Sequence, residues 1–125
     1  MSFIDCRGSV HFYRLFGRGV SLRAAAADSA PALVFVNSLG TDTRIWDPLF
    51  VALPESVTSR CQLLCYDLRG QGSSELGNAP HTVATLAEDL DALLGQLGLR
   101  ASVVCGLSLG GLVAQELAAR FPERV

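Results

Sequence analysis

The chain has 125 residues, of which 50% are hydrophobic and 18% charged, with a formal charge of −2 and a mean hydropathy of +0.35. It is too apolar and too weakly charged for a disordered chain, and without a run of Lys or Arg it lacks the electrostatic footprint of a nucleic-acid-binding protein. No unbroken apolar stretch, 32–36 being among the longest, approaches a membrane span. The opening Met1-Ser2-Phe3-Ile4-Asp5-Cys6-Arg7 shows no basic region leading into an apolar one, so a secretory leader is not expected and the cytoplasm is the expected location.

Residues Phe3 to Arg7 and Val10 to Phe16 read as two short strands around a Gly8-Ser9 turn, with His11, Tyr13 and Leu15 alternating with Phe12, Arg14 and Phe16. A Gly-, Ser- and Ala-rich stretch, 17–30, reads as loose connection. Three runs then stand out: Ala32 to Val36, Gln62 to Tyr66 and Ala101 to Cys105. Runs apolar on both faces belong in a sheet covered on both sides. Between them lie helical patterns. Asp47-Pro48 opens one, with Asp47 as N-cap and Pro48 at the first helical position, and Pro54 closes it. Leu86, Leu90, Leu93, Leu94 and Leu97 recur at helical spacing, with Thr82 or Thr85 available as cap and Gly98 just past the end. A last helix is expected from about Leu109 to Arg120, stopped by Pro122, after which Pro122 to Val125 would lead toward another strand. Strands alternating with helices predict an α/β fold with a mostly parallel sheet and helices on both faces.

The four cysteines, at 6, 61, 65 and 105, form no C-x-x-C pair, and there are only two histidines, His11 and His81. Metal or disulfide chemistry is conceivable, but Cys61, Cys65 and Cys105 lie in or beside apolar runs, where a thiol packs as a small hydrophobe.

Three segments carry chemistry. Gly106-Leu107-Ser108-Leu109-Gly110, with Gly111 behind it, follows a buried-strand run and precedes a helix, the placement of a nucleophile elbow. There a serine on a sharp, strained turn projects above the sheet, the glycines give the neighbouring strand and helix room, and the helix N-terminus faces developing negative charge. The simpler alternative is a glycine-rich turn with an ordinary cap serine. Asn37-Ser38-Leu39-Gly40 follows the 32–36 strand, and the N–H groups of Leu39 and Leu109 would make a two-donor oxyanion hole. Asp67-Leu68-Arg69-Gly70-Gln71-Gly72-Ser73-Ser74 follows the 62–66 strand; its glycines read as conformational, and Asp67 as bonding local backbone rather than acting as a triad acid.

This order of strands, loops and helices resembles the N-terminal half of an α/β-hydrolase over nearly the whole chain. The NSLGTD stretch at 37–42, followed by Trp46-Asp47, is similar to the 3-oxoadipate enol-lactonases, as is the ending from Gly106 to Val125. The resemblance implies Ser108 as nucleophile, Leu39 and Leu109 as backbone oxyanion donors, a Ser-His-Asp mechanism, and opening of a small-molecule lactone to 3-oxoadipate in aromatic catabolism without cofactor or metal. Another ester hydrolase, cofactor-free haloperoxidase-type chemistry, or a short non-catalytic binding protein are the alternatives. Arg44 is a candidate to meet a substrate carboxylate, against the reading of a surface arginine near a helix start. Trp46 reads as core or pocket wall.

Two departures follow. Gln71 stands where many members have a histidine that is usually structural, so little effect on mechanism is expected. No histidine follows Ser108, whereas the family order is Ser, acid, His, and neither His11 nor His81 matches the catalytic one. Residues 1–125 are therefore expected to be one partial domain, inactive and aggregation-prone by itself.

Overall fold

The structure is a computed structural model describing residues 2–17 and 31–125. Most of the 17–30 stretch read as loose connection lies outside the described residues. Among the described residues five strands form one sheet: β1 (Ser2–Asp5), β2 (Val10–Gly17), β3 (Ala32–Val36), β4 (Gln62–Tyr66) and β5 (Ser102–Gly106), in spatial order β1-β2-β4-β3-β5. The first two pair antiparallel, and β2 pairs antiparallel with β4. The β4-β3-β5 part is parallel, with Val36 opposite both Tyr66 and Gly106. The ends of β3, β4 and β5 thus lie level at one edge, and the three chemistry-bearing loops leave from there.

Period-two alternation divides the strand side chains between two layers. Val34, Val36, Leu64 and Tyr66 face α3 (Val83–Gln96) and α4 (Leu109–Arg120), packing against Leu86, Leu90, Leu93, Leu94, Val113 and Leu117. On the opposite face Phe35, Leu63 and Cys65 pack against Trp46, Ile45, Phe50 and Leu53, from a 3₁₀ turn (Thr43–Trp46) and α1 (Asp47–Ala52). Every residue of β4 is buried, as expected of a central strand covered on both sides. A leucine such as Leu64 or Leu94, fully buried there, contributes on the order of 2 kcal/mol.

Helix boundaries follow local chemistry. Thr82, of the two candidate threonines, caps α3: its side chain accepts the Thr85 N–H at 3.1 Å. Gly98, at φ +71°, lets the Leu99 N–H reach back to the Leu94 carbonyl at 2.9 Å, a Schellman closure. The expectation for Asp47 is corrected. The 3₁₀ turn runs directly into α1, so Asp47 is already helical, and the cap is Asp42, whose carboxylate accepts the Arg44 N–H at 2.9 Å. Asp47 instead pairs with Arg14 of β2 at 2.6 Å. Pro54 does end α1, and it also precedes a one-turn helix, α2 (Glu55–Thr58). Pro122–Arg124 forms a 3₁₀ turn, from which Arg124 reaches Asp91 of α3 at 2.6 Å.

The cysteine expectation holds only in part. Cys6 and Cys65 are buried and Cys61 is half-buried, but Cys105 is exposed. On β5, Ser102 faces inward while Val103 and Cys105 point to the side that none of the described residues covers. An apolar run marks a strand; whether both its faces are covered depends on the elements around it. Burial pushes the Cys6 thiol up to about 11 and the Cys65 thiol up to about 12, so both are inert near neutrality.

One buried ion pair ties the loop after β4 to α3. Arg69 donates from Nε and Nη2 to the two carboxylate oxygens of Asp89 at 2.8 and 2.7 Å, and from Nη1 to the Leu76 carbonyl. Both side chains are essentially inaccessible. His11 lies beside them, its Nδ1 donating to the Asp67 carbonyl at 3.2 Å and its Nε2 3.6 Å from Asp89.

Two outcomes are expected. Asp89→Ala strands the guanidinium and should lower stability by about 3–5 kcal/mol in urea denaturation. Burial raises the Asp89 pKa, but the Arg69 and His11 interactions outweigh it and hold the carboxyl below its usual value. Its contribution is therefore complete above the unfolded carboxylate pKa near ~4 and is lost as pH falls through the lower folded pKa; Asp89→Asn should lack that acid-side loss. The open side of β5 is expected to make residues 1–125, expressed alone, self-associate in size-exclusion chromatography.

Candidate active site

The link between β5 and α4 is a single sharp turn. Ser108 has φ 53° and ψ −114°, and among the described residues only Arg7 is another non-glycine with positive φ. A non-glycine residue held there costs of order 1–3 kcal/mol and persists only where its surroundings over-determine it. Those surroundings are glycines. A Cβ on Gly106 would fall 2.2 Å from the Gly110 carbonyl oxygen, and a Cβ on Gly110 would fall 2.1 Å from the Val36 carbonyl oxygen. The helix start is thus pressed against the ends of β5 and β3, as the sequence reading expected of positions 106 and 110. The Leu107 N–H donates to the Val36 carbonyl at 3.1 Å, extending the β3–β5 pairing into the turn.

Ser108 stands at the N-cap position, yet its side chain makes no capping hydrogen bond and the residue is exposed. This removes the alternative of an ordinary cap serine. Its carbonyl accepts the Gly111 N–H at 2.8 Å, and Leu107 accepts that of Gly110 at 2.9 Å. Leu109, first residue of α4, has no carbonyl a turn earlier within the helix to bond, so its N–H is one of the free donors of a helix N-terminus.

The loop after β3 begins level with this turn. Asn37 is fully buried; its Nδ2 donates to the Tyr66 carbonyl at 3.0 Å, and its Oδ1 accepts the Trp46 Nε1–H at 2.7 Å. Trp46, read from sequence as core or pocket wall, is buried against Phe35 in the core and also anchors this loop. Leu39 is 71% exposed, and Gly40 has φ +73°.

Asp67 is buried and bonds loop backbone, accepting the Thr43 and Ser73 N–H groups, both at 2.8 Å. This is the local role read from sequence. Arg44 is exposed, and its Nε–Nη2 edge is occupied by Asp42 at 2.9 and 2.6 Å. The Arg44 hydrogen bond holds the Asp42 carboxyl down at about 2. An open cleft of about 820 Å³ touches Arg44, Asp42, Arg14, Phe3 and Phe12 but not Ser108. His81 Nε2 bonds the Arg69 carbonyl at 3.0 Å, so both histidines of the chain are engaged away from the elbow.

The sequence reading missed two features: Asn37 as a buried anchor and the Arg69–Asp89 pair. Signals for them exist. A buried indole N–H needs an acceptor, and Asp89 falls three residues after Leu86 on the apolar stripe of α3, where a carboxylate needs a partner.

A strained serine between a parallel strand and a helix, beside a loop from the adjacent strand, defines an α/β-hydrolase. The family model for the alpha/beta hydrolase fold matches residues 31–125, and the chain belongs to that family. It is 38% identical over 112 residues to 3-oxoadipate enol-lactonase 2 of Acinetobacter baylyi, spanning 88% of this chain and 40% of that protein. The enol-lactonase 1 of the same organism is 38% identical over 109 residues, 84% of this chain and 39% of the relative. Among solved structures, the enol-lactonase from Burkholderia xenovorans superposes with a TM-score of 0.84 at 35% identity, covering 99% of this chain and 44% of the other. The chain thus spans about 40% of the length of the curated relatives it matches.

The glycine contacts separate two neighbouring substitutions. Gly110→Ala is expected to destabilise by about 1–3 kcal/mol or to prevent folding, because its methyl meets backbone. Gly111→Ala, whose methyl would lie 3.5 Å from the nearest atom, is expected to be tolerated. Thermal melts of the two variants check this.

Proposed function

We propose that this chain is the nucleophile-bearing part of a serine hydrolase that opens 3-oxoadipate enol-lactone or a closely similar lactone. The observation that carries the reading is Ser108: exposed, free of any capping bond and held at φ 53° at a strand-to-helix turn. The similarity to enol-lactonases supports the substrate class.

In this reading the Ser108 Oγ attacks the lactone carbonyl as a base takes its proton, the Leu39 and Leu109 N–H groups receive the oxyanion, and the ring C–O bond breaks to leave an acyl-enzyme, the expelled enol oxygen taking up that proton and the enol ketonising to the 3-oxo group. Water then releases 3-oxoadipate and restores the serine hydroxyl. A serine hydroxyl needs a base to act as a nucleophile near neutrality. His11 and His81 are engaged with the Asp67 and Arg69 carbonyls, so neither serves as that base. Arg44, paired with Asp42, receives no substrate contact in this scheme, and no metal or cofactor enters it.

The test is loss of lactone ultraviolet absorbance with the product of the complete gene. Ser108→Ala is expected to lower kcat by about 10⁴-fold or more with the melting temperature maintained, since the serine side chain makes no capping bond for alanine to lose. Retained turnover in Ser108→Ala would overturn the nucleophile. Hydrolysis of p-nitrophenyl acetate without lactone opening would overturn the substrate alone.

A further inference from the structure

We infer that Thr41 is a positioning residue for the oxyanion donor, and that it acts by holding the peptide unit between Ser38 and Leu39. The inference rests on the proposed role of the Leu39 N–H and concerns how that N–H is aimed.

The geometry is local and specific. The Thr41 Oγ1–H donates to the Ser38 carbonyl at 2.8 Å. That carbonyl belongs to the same peptide unit as the Leu39 N–H. No peptide bond among the described residues is cis, and in a trans unit the C=O and N–H point in opposite directions. A hydroxyl fixed on the carbonyl therefore fixes the N–H on the far side, pointing away from Thr41. The bond also has an electronic effect, because a carbonyl that accepts a hydrogen bond leaves its N–H a stronger donor. The single Thr41 proton is engaged, so the Ser38 Oγ, 3.2 Å from Thr41 Oγ1, is the donor of that pair. The three bonded groups run Ser38 hydroxyl, Thr41 hydroxyl, Ser38 carbonyl.

The units on either side are held independently. Asn37, before this unit, is bonded to β4 and to Trp46. After it, the Gly40 N–H donates to Gln71 Oε1 at 2.5 Å. Gln71 comes from the loop after β4, so strand ends β3 and β4 both take part in the turn. Its Nε2 is buried without a partner; turning the carboxamide over would set this donor against the Gly40 N–H, so the observed orientation is the one the turn requires. Gln71 thus braces the donor loop, a part that the family comparison made at sequence level did not assign to it. With its neighbours anchored at both ends, the 38–39 unit has the Thr41 hydroxyl as the group that sets its rotation.

The test uses the product of the complete gene with p-nitrophenyl acetate as substrate and a fluorophosphonate as the Ser108-directed probe. Thr41→Val keeps the branched shape and removes the hydroxyl. It is expected to lower kcat about tenfold, less than the ~10²–10³ of deleting an oxyanion donor outright, while KM stays within about twofold. Phosphonylation, whose P–O oxygen occupies the same donors, should slow in parallel. Thr41→Ser restores the hydroxyl and should return both rates to within about twofold of the parent. Should Thr41→Val not fold, Thr41→Ala lacks the same hydroxyl and carries the same expectation. A parental kcat in the hydroxyl-free variants, or a Thr41→Ser as slow as they are, would overturn the inference. Ser108→Ala, measured alongside, separates the cases: turnover surviving there sinks the reading of the site, whereas loss there with an unaffected Thr41→Val sinks only the role of Thr41.

Discussion

The contact between the start of α4 and the end of β3 is the constraint on which the site depends. Gly110 lies so close to the Val36 carbonyl that no side chain fits between them, and Gly106 meets Gly110 in the same way. The helix therefore begins immediately above the strand ends, and of the two residues between strand and helix, Leu107 and Ser108, the second is held at positive φ. Backbone strain, serine exposure and the free Leu109 N–H are three results of that single approach. No side-chain interaction of Ser108 itself is needed to produce them.

The remaining polar chemistry serves to hold loops still. Arg69 and Asp89 join the loop after β4 to α3 in a dry environment, where a two-point guanidinium–carboxylate contact favours one geometry over its neighbours. Asn37 bridges β3 to both β4 and the 3₁₀ turn. Asp67 gathers backbone N–H groups from two loops. Asn37 and Asp67 are the first residues after the ends of β3 and β4, so these bonds fix the loops where they leave the sheet.

Much of this was legible in the sequence because it is periodic. The apolar runs, the leucine spacing of α3 and the glycines flanking Ser108 each have one dominant structural solution. The misses have physical reasons. Asp42 and Asp47 are both capping residues by type, and a 3₁₀ turn between them has no 3.6-residue signature to show which is used. Val103 and Cys105 look the same whether or not another layer covers β5, because coverage is a property of the assembled sheet. The Gln71–Gly40 bond spans 31 residues and depends on the relative placement of two loops. The Thr41 bond is different: a threonine reaching three residues back is a local motif, visible in principle from the string Ser38-Leu39-Gly40-Thr41.

The hydrogen bond from the Leu107 N–H to the Val36 carbonyl has a mechanical consequence. It is the last rung of the β3–β5 ladder, and both the serine turn and the loop after β3 hang from it. Twisting or breathing of the sheet displaces the two together, as a pair of hands moves with one pair of shoulders. The spacing between the serine turn and the loop after β3 is thus set by backbone pairing and by no side chain of either segment.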